Sequence, residues 1–331
     1  MVSLEMFSPS RTWTSPAPFL KGGTPKLREL RADVKALDGL RFQPFPCLST
    51  LQLETLNEGE FSWSIFLDLL ALPCLQTLSI AGEIFQSPEA TAKGRTVVAK
   101  QLKHFRCSDP EVFCNIWTFV EAPELELLIF IGTPLEDCIF PFAEADTKDD
   151  SAHGLFPSLH TLGLLSCQVN AEDTSNALLL AHATKSIQHL YVAQDEEGHD
   201  ADRSVFHAMA EMGSTSIFWP NLKTLTCLLE MDSDSFDLEP ASCLEIVECR
   251  AKKMQKHCTL RLFDDQVQWW RSSDLKSWKR LQEGGFYERI AGYCHEGDID
   301  YVPWPPRATR TFHSSSEEHF LSHGDEYEED D

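Results

Sequence analysis

The sequence lacks any C-x-x-C pair, and its 11 cysteines are scattered singly. That excludes a zinc ribbon and a paired disulfide framework, and it fits reduced thiols in a cytosolic or nuclear protein. It also lacks an apolar run of the ~20 residues that a helical bilayer span needs. The densest runs, residues 65–72 and 127–132, are far shorter, so no membrane is expected as a partner. Residues 1–20 hold Glu5, Arg11 and several prolines where a signal peptide would be apolar. Basic residues are scarce, 28 against 52 acidic, for a net charge of −24. Such a surface repels phosphate backbones, so nucleic acid is not an expected partner either. The densest basic stripe, Arg250, Lys252, Lys253, Lys256 and Arg261, reads as a solvated helix face.

Catalytic motifs are missing as well. Gly22-Gly23-Thr24-Pro25-Lys26 has the wrong spacing for a P-loop and is broken by its proline. Ser273 and Lys276 match S-x-x-K by type, without companion motifs. There is no H-E-x-x-H and no nucleophile elbow. His199, Asp200, Asp202 and His207 fall in a loop, and His319, His323 and Asp325 in the tail, with nothing rigid to hold a metal. The chain is not read as an enzyme, and no catalytic, cofactor or metal residues are expected.

What the sequence does contain is a repeat. Proline, any residue, leucine, two residues, leucine occurs at Pro25–Leu30, Pro46–Leu51, Pro73–Leu78, Pro123–Leu128, Pro157–Leu162 and Pro220–Leu225. With 18 prolines, chance supplies about 0.3 such matches, so six mark a true repeat. Two further copies lack the proline, at Leu102 with Phe105 and at Ile187 with Leu190. The eight anchors are Leu27, Leu48, Leu75, Leu102, Leu125, Leu159, Ile187 and Leu222. Their gaps are 21, 27, 27, 23, 34, 28 and 35 residues, at the long end for leucine-rich repeats, with the longest gaps reading as loop insertions.

After each leucine pair the alternation continues one step, as in Leu48, Leu51 and Leu53, which predicts a short strand with one apolar face. Between strands lie helical stripes: Ile65, Phe66, Leu69 and Leu70; Val112, Phe113, Ile116, Trp117 and Val120; Val205, Phe206, Met209 and Met212; and residues 177–183. The expected fold is therefore an α/β leucine-rich-repeat solenoid, a horseshoe with parallel strands on the concave side and helices on the convex side. Cys167 stands where some such repeats place a buried asparagine or cysteine. The equivalent positions hold Leu56, Glu83, Thr133 or Glu230, so a space-filling buried thiol without a ladder is expected.

Residues 1–24 read as a partial repeat and irregular segment, with a strand near Leu4 and Met6, as though the chain starts inside a repeat. Residues 25–290 form the solenoid, closed by a helix over 243–256, a strand over 259–263 and a helix over 266–283. Residues 291–331 read as a proline- and serine-containing, disordered acidic tail. The insertions are acidic (Glu144 to Asp150, Asp195 to Asp202, Glu230 to Glu239) but lack the spacing of a calcium loop, so they read as solvated.

The pieces "GGTPKLRELRA", "SWSIFLDLLALPCLQTLSIAG", "FPSLHTLGLLSC", "LEIVECRAKKMQKHCTLRLF" and "LKSWKRLQEGGFYERI" resemble the leucine-rich-repeat portion of fungal F-box proteins over about residues 20–290. The resemblance implies a substrate-recognition module for ubiquitin ligation, in which repeats capture a protein and an F-box docks the cullin adaptor. The first 24 residues are too few and too proline-rich for F-box helices, so the adaptor is an expected partner only if an F-box lies upstream. The alternative is a free-standing scaffold or inhibitor without a ubiquitin connection.

A monomer with a protein partner on the concave face is expected. Side chains between and after the anchor leucines face that side. Most are polar, such as Glu29, Arg31, Gln52 and Ser79, but one strand offers Leu127, Ile129 and Ile131 there, with Leu128 and Phe130 in the core. The opposite register would expose Leu128 and Phe130 instead. The candidate contact residues are His104, Arg106, Leu127, Ile129, Ile131, Leu165, His189 and Tyr191, an apolar patch rimmed by polar groups. On this reading Ile129→Asp abolishes capture while costing no more than about 0.5 kcal/mol. The competing reading has insertion 135–155, with Phe140 and Phe142, folding back as a lid.

Overall fold

The computed structural model divides by its contacts into Met1–Cys294 and His295–Asp331. Structure is described for residues 3–6, 25–34, 45–55, 61–88, 96–133, 156–165, 167, 169–170, 174–193, 202–203, 209, 218–228, 240–254 and 257–291. The tail beyond 291, the lid segment 135–155, most of residues 1–24, and the acidic insertions apart from Asp202 lie outside them. So does the helix expected around Val205, apart from Met209.

The fold grows from one repeated turn. In five of the proline copies the anchor N–H reaches back three residues: Leu48 to Phe45, Leu75 to Leu72, Leu125 to Ala122, Leu159 to Phe156 and Leu222 to Trp219, at 2.9–3.4 Å. Proline at the first central position fixes φ for this turn. The copies without proline close in the same way, Leu102 to Ala99 at 3.4 Å and Ile187 to Thr184 at 3.1 Å. All eight anchors are 3% exposed or less, so each turn is pinned by a buried side chain.

From each turn the chain runs into a strand of one parallel sheet. In chain order these are β1 (Ser3–Met6), β2 (Glu29–Asp33), β3 (Thr50–Glu54), β4 (Thr77–Ala81), β5 (His104–Cys107) and β6 (Leu127–Ile131). The series continues with β7 (Thr161–Leu165), β8 (His189–Ala193), β9 (Thr224–Leu228), β10 (Thr259–Phe263) and β11 (Tyr287–Ile290). Order in the sheet follows order in the chain from β1 to β11, and every pairing is parallel. That is an α/β solenoid of the leucine-rich-repeat type. Two-stranded pairs sit outside the sheet, 97–98 with 120–121 and 169–170 with 202–203.

Helices α1 (Trp63–Leu70), α2 (Pro110–Phe119), α3 (Thr174–Ala183), α4 (Pro240–Met254), α5 (Asp264–Ser273) and α6 (Leu275–Glu283) link the strands. The core lies between them and the sheet. It contains Leu30, Leu51, Leu78, Phe105, Leu128, Leu162, Leu190, Leu225 and Leu260, one from each successive strand. A chain of rings crosses the repeats: Phe66 to Phe105 at 6.3 Å, Phe105 to Phe130 at 6.5 Å, Phe130 to Phe113 at 4.2 Å and Trp117 to Phe156 at 5.7 Å. The edge-on pairs among them, Phe105–Phe130 and Phe113–Phe130, add stability beyond their buried area.

Buried polar groups tie neighbouring repeats. Asp109 caps α2, accepting from Val112 N at 3.2 Å, and its other oxygen accepts from Ile84 N and Phe85 N at 2.7 and 2.8 Å. Burial pushes its carboxyl above the usual carboxylate range, and those N–H groups pull it back. Along the turn edge, side chains reach to the preceding repeat. Ser158 Oγ donates to the Pro123 carbonyl at 2.6 Å, Ser186 Oγ to Leu159 at 2.6 Å, and Asn221 Nδ2 to Lys185 at 3.2 Å.

Four expectations need correction. The helix over 266–283 is two helices, because Asp274 leaves helical geometry (φ −141°, ψ 79°) and accepts from Lys276 N and Ser277 N at 3.1 and 3.0 Å. Strand β11 was not anticipated. The basic stripe is not one solvated face: Arg250 is buried and donates to the Phe218 and Trp219 carbonyls at 2.6 and 2.7 Å. Arg261 stands on β10, Lys252 and Lys253 are exposed, and Lys256 lies outside the described residues. Cys167 is not mere filler, for its thiol meets Thr133 Oγ1 at 3.4 Å and the Phe130 and Leu165 carbonyls at 3.7 and 3.6 Å.

Candidate functional site

The sheet face opposite the core carries two rows fixed by the strand register. The first runs Glu29, Thr50, Thr77, His104, Leu127, Thr161, His189, Thr224 and Thr259. The second runs Arg31, Gln52, Ser79, Arg106, Ile129, Gly163, Tyr191, Thr226, Arg261 and Glu288. Residues of one row stand about 4.8 Å from strand to strand. Six of the candidates, His104, Arg106, Leu127, Ile129, His189 and Tyr191, therefore fall within two rows, with Thr161 and Gly163 of β7 between the β6 and β8 members. Ile131 and Leu165 pair with each other in a third row, one step further along β6 and β7.

Leu128 and Phe130 are fully buried in the core, which fixes the proline–leucine register and rules out the opposite one. The expected open apolar patch is a different matter. Leu127, Ile129, Leu165 and Tyr191 are 5%, 0%, 3% and 6% exposed, and Ile131 is half-buried. Within the second row the reason is local. Gly163 has no side chain, and Ile129 fills the space: a Cβ on Gly163 would lie 3.2 Å from both its Cγ atoms. On the other side stands Arg106, itself buried, with Nε donating to Ser79 Oγ at 3.1 Å.

What stays accessible is a band of exposed His160 with half-buried His104, His189 and Thr224, backed by the buried hydroxyls of Thr77 and Thr161. Thr77 Oγ1 meets His104 Nδ1 at 3.3 Å, and Thr224 Oγ1 meets His189 Nδ1 at 2.8 Å. His160, which precedes β7, meets Thr161 Oγ1 at 2.9 Å, and its ring stands edge-on to His189 with centroids 6.4 Å apart. Burial holds His104 and His189 below the ordinary histidine value. His160 and Lys103 push His104 further down against the pull of Glu126, while His160, Lys223 and Arg261 push His189 the same way. Neutral imidazoles can donate or accept, so the band suits hydrogen bonding to a peptide surface.

Three pairs of charged groups lie near the band. Arg31 and Glu54 form a two-pronged pair at 2.8 and 3.0 Å, Lys103 meets Glu126 at 3.2 Å, and Arg261 meets Glu288 at 3.3 Å. Arg261 also hydrogen-bonds Tyr191, whose phenol burial pushes up. His160 and Thr224 were missed from sequence, although threonine recurs two positions after four of the eight anchors, at Thr50, Thr77, Thr161 and Thr224. Among the described residues no group of three histidines, cysteines or carboxylates is placed to hold a metal ion, and no helix is long and apolar enough to cross a membrane.

No family model matches the chain, and no curated protein matches it. Among solved structures it is similar to the crystal structure of a TLR13–ssRNA13 complex, with a TM-score of 0.42 and 15% identity over 72% of this chain. The match spans 28% of that chain's length.

Proposed function

We propose that the protein is a recognition module that binds another protein across the face of the sheet opposite its helices, and that it does so as the substrate-capturing part of a ubiquitin ligase of the F-box type. The observation that carries the binding reading is the band of His104, His160, His189 and Thr224, in which burial holds His104 and His189 below the ordinary histidine value. It runs from β5 to β9, with Leu127 of β6 between His104 and the rest, in a chain whose net charge is −24. Neutral polar groups on a rigid sheet lose little on desolvation compared with lone charges, which is what an interface core requires. The contact set accordingly shifts from Leu127, Ile129 and Leu165 toward His104, His160, His189 and the half-buried Ile131. The ligase reading rests on the resemblance of the repeats alone.

The test places a photo-crosslinking amino acid at His104, at His189 and at exposed Lys253 on α4, in cells. One protein captured from both sheet positions and absent at Lys253 supports the binding reading; capture at Lys253 alone overturns it. Depleting the chain then separates the finer readings. Loss of ubiquitin conjugates on the captured protein supports ligase recruitment, and unchanged conjugates leave a scaffold or inhibitor.

A further inference from the structure

Cys47 and Cys74 are the two exposed thiols among the described cysteines; the others are buried or half-buried. They occupy the same place in consecutive repeats. Each follows the proline of its turn, Pro46 and Pro73, and each turn closes with the anchor N–H bonded three residues back, Leu48 to Phe45 and Leu75 to Leu72. The strands that follow are in register, Thr50 opposite Thr77, and Gln76 N and Thr77 N both donate to the Ser49 carbonyl at 2.8 and 2.9 Å. Two identical turns are thereby stacked at the strand spacing, about 4.8 Å. A disulfide needs its Cα atoms roughly 4.4–6.8 Å apart.

Other repeats show which way a side chain at this position reaches. Ser158, the same turn position, donates to the carbonyl of Pro123, the proline of the preceding turn, at 2.6 Å. Asn221, again the same position, donates to the carbonyl of Lys185 at 3.2 Å. A side chain at Cys74 occupies the equivalent position, next to the turn of Pro46 and Cys47. We propose that Cys47 and Cys74 are a redox-responsive pair that closes into a reversible disulfide between consecutive repeats, with a low-molecular-weight disulfide such as oxidised glutathione as the oxidant.

The chemistry balances in two exchanges. The thiolate of one cysteine attacks oxidised glutathione, forming a mixed disulfide and expelling one glutathione thiolate. The second cysteine's thiolate attacks the protein sulfur of that mixed disulfide, forming the Cys47–Cys74 bond and expelling the second glutathione. Two electrons pass from the cysteine sulfurs to glutathione, and the two thiol protons end on the two glutathione thiolates. The new bond encloses β3 and α1, stapling one repeat unit to the next.

The test treats the reduced full chain with oxidised glutathione under native conditions, blocks remaining thiols and maps the products after Glu-C digestion, which cuts after Glu54, Glu58 and Glu60 between the two cysteines. The expected result is a Cys47–Cys74 linked peptide pair, reversed by reductant. In Cys47→Ser or Cys74→Ser, the remaining cysteine is expected to stop at the glutathione adduct. Wild-type chain that carries glutathione on both cysteines, links either one to a different cysteine, or reacts at neither overturns the proposal.

Discussion

Ile129 sits between Arg106 and Gly163 on neighbouring strands and has no exposed surface. Truncating it removes three carbons from a filled space, and Ile129→Ala is expected to cost about 3 kcal/mol, read as a lowered melting midpoint. A change within measurement error would show the side chain to be on open surface after all. Alanine is a better probe than aspartate, because a carboxylate beside the Arg106 guanidinium would gain a partner and mask the loss. The sequence assigned Ile129 to the correct face, since strand alternation fixes which side a residue takes. Alternation carries no information on whether that side is covered, and the fit of Ile129 over Gly163 joins residues 34 positions apart. Arg250 failed for a similar reason: its carbonyl partners at 218 and 219 belong to a turn with no sequence signal of what it packs beside.

Two glycines at the ends of equivalent strands give a contrast in how tightly one strand closes on its neighbour. Gly82, after β4, has φ +88°, and a Cβ there would lie 1.9 Å from the Thr55 carbonyl oxygen, beside the Thr55 N to Ala81 O bond at 2.9 Å. Gly132, after β6, has φ +62° with nothing within 4 Å of its Cβ position. Gly132→Ala is expected to cost about 1 kcal/mol for the left-handed backbone alone. Gly82→Ala must also displace a strand, and a loss of at least roughly 3 kcal/mol is expected in denaturant titration. Equal losses would show that the close approach at Thr55 is not real. Strands β2 to β9 were legible because each is announced by a turn and one of the eight anchors, and β10 by the alternation of Leu260 and Leu262. β11 was not, since Tyr287, Glu288 and Arg289 show neither anchor nor apolar alternation, and it holds its place by pairing with β10. The break between α5 and α6 could have been found, for Asp274 is a good N-cap residue three positions ahead of Ser277.

The charge of the chain bears on how it responds to acid. Ordinary carboxylates titrate far below neutrality, so between about pH 7.5 and 5.5 the charge that changes is mostly on histidine. His104 and His189 are both held below the ordinary value of 6.5, so the unfolded chain takes up protons at these sites before the folded chain does. Their contribution to stability is complete above about pH 6.5 and is lost as pH falls from there through their lower folded-state values. Melting midpoints over this window should fall more steeply for the wild type than for a His104→Gln, His189→Gln double variant. Parallel curves would show that the two imidazoles titrate alike in both states.

The hydrogen bonds from Ser158, Ser186 and Asn221 to the preceding turns run along one border of the sheet. On the opposite border, consecutive strands are joined by excursions of unequal length, from 21 to 35 residues between anchors. That border is held too, at particular repeats: Asp109 Oδ2 accepts from Ile84 N and Phe85 N, Ser108 Oγ accepts from Gly82 N, and Gly132 N donates to the Leu165 carbonyl. Considered as a beam, the stack is therefore stitched along both sides. Bending it either way must break short, directional bonds one after another, besides parting the apolar packing between helices and sheet.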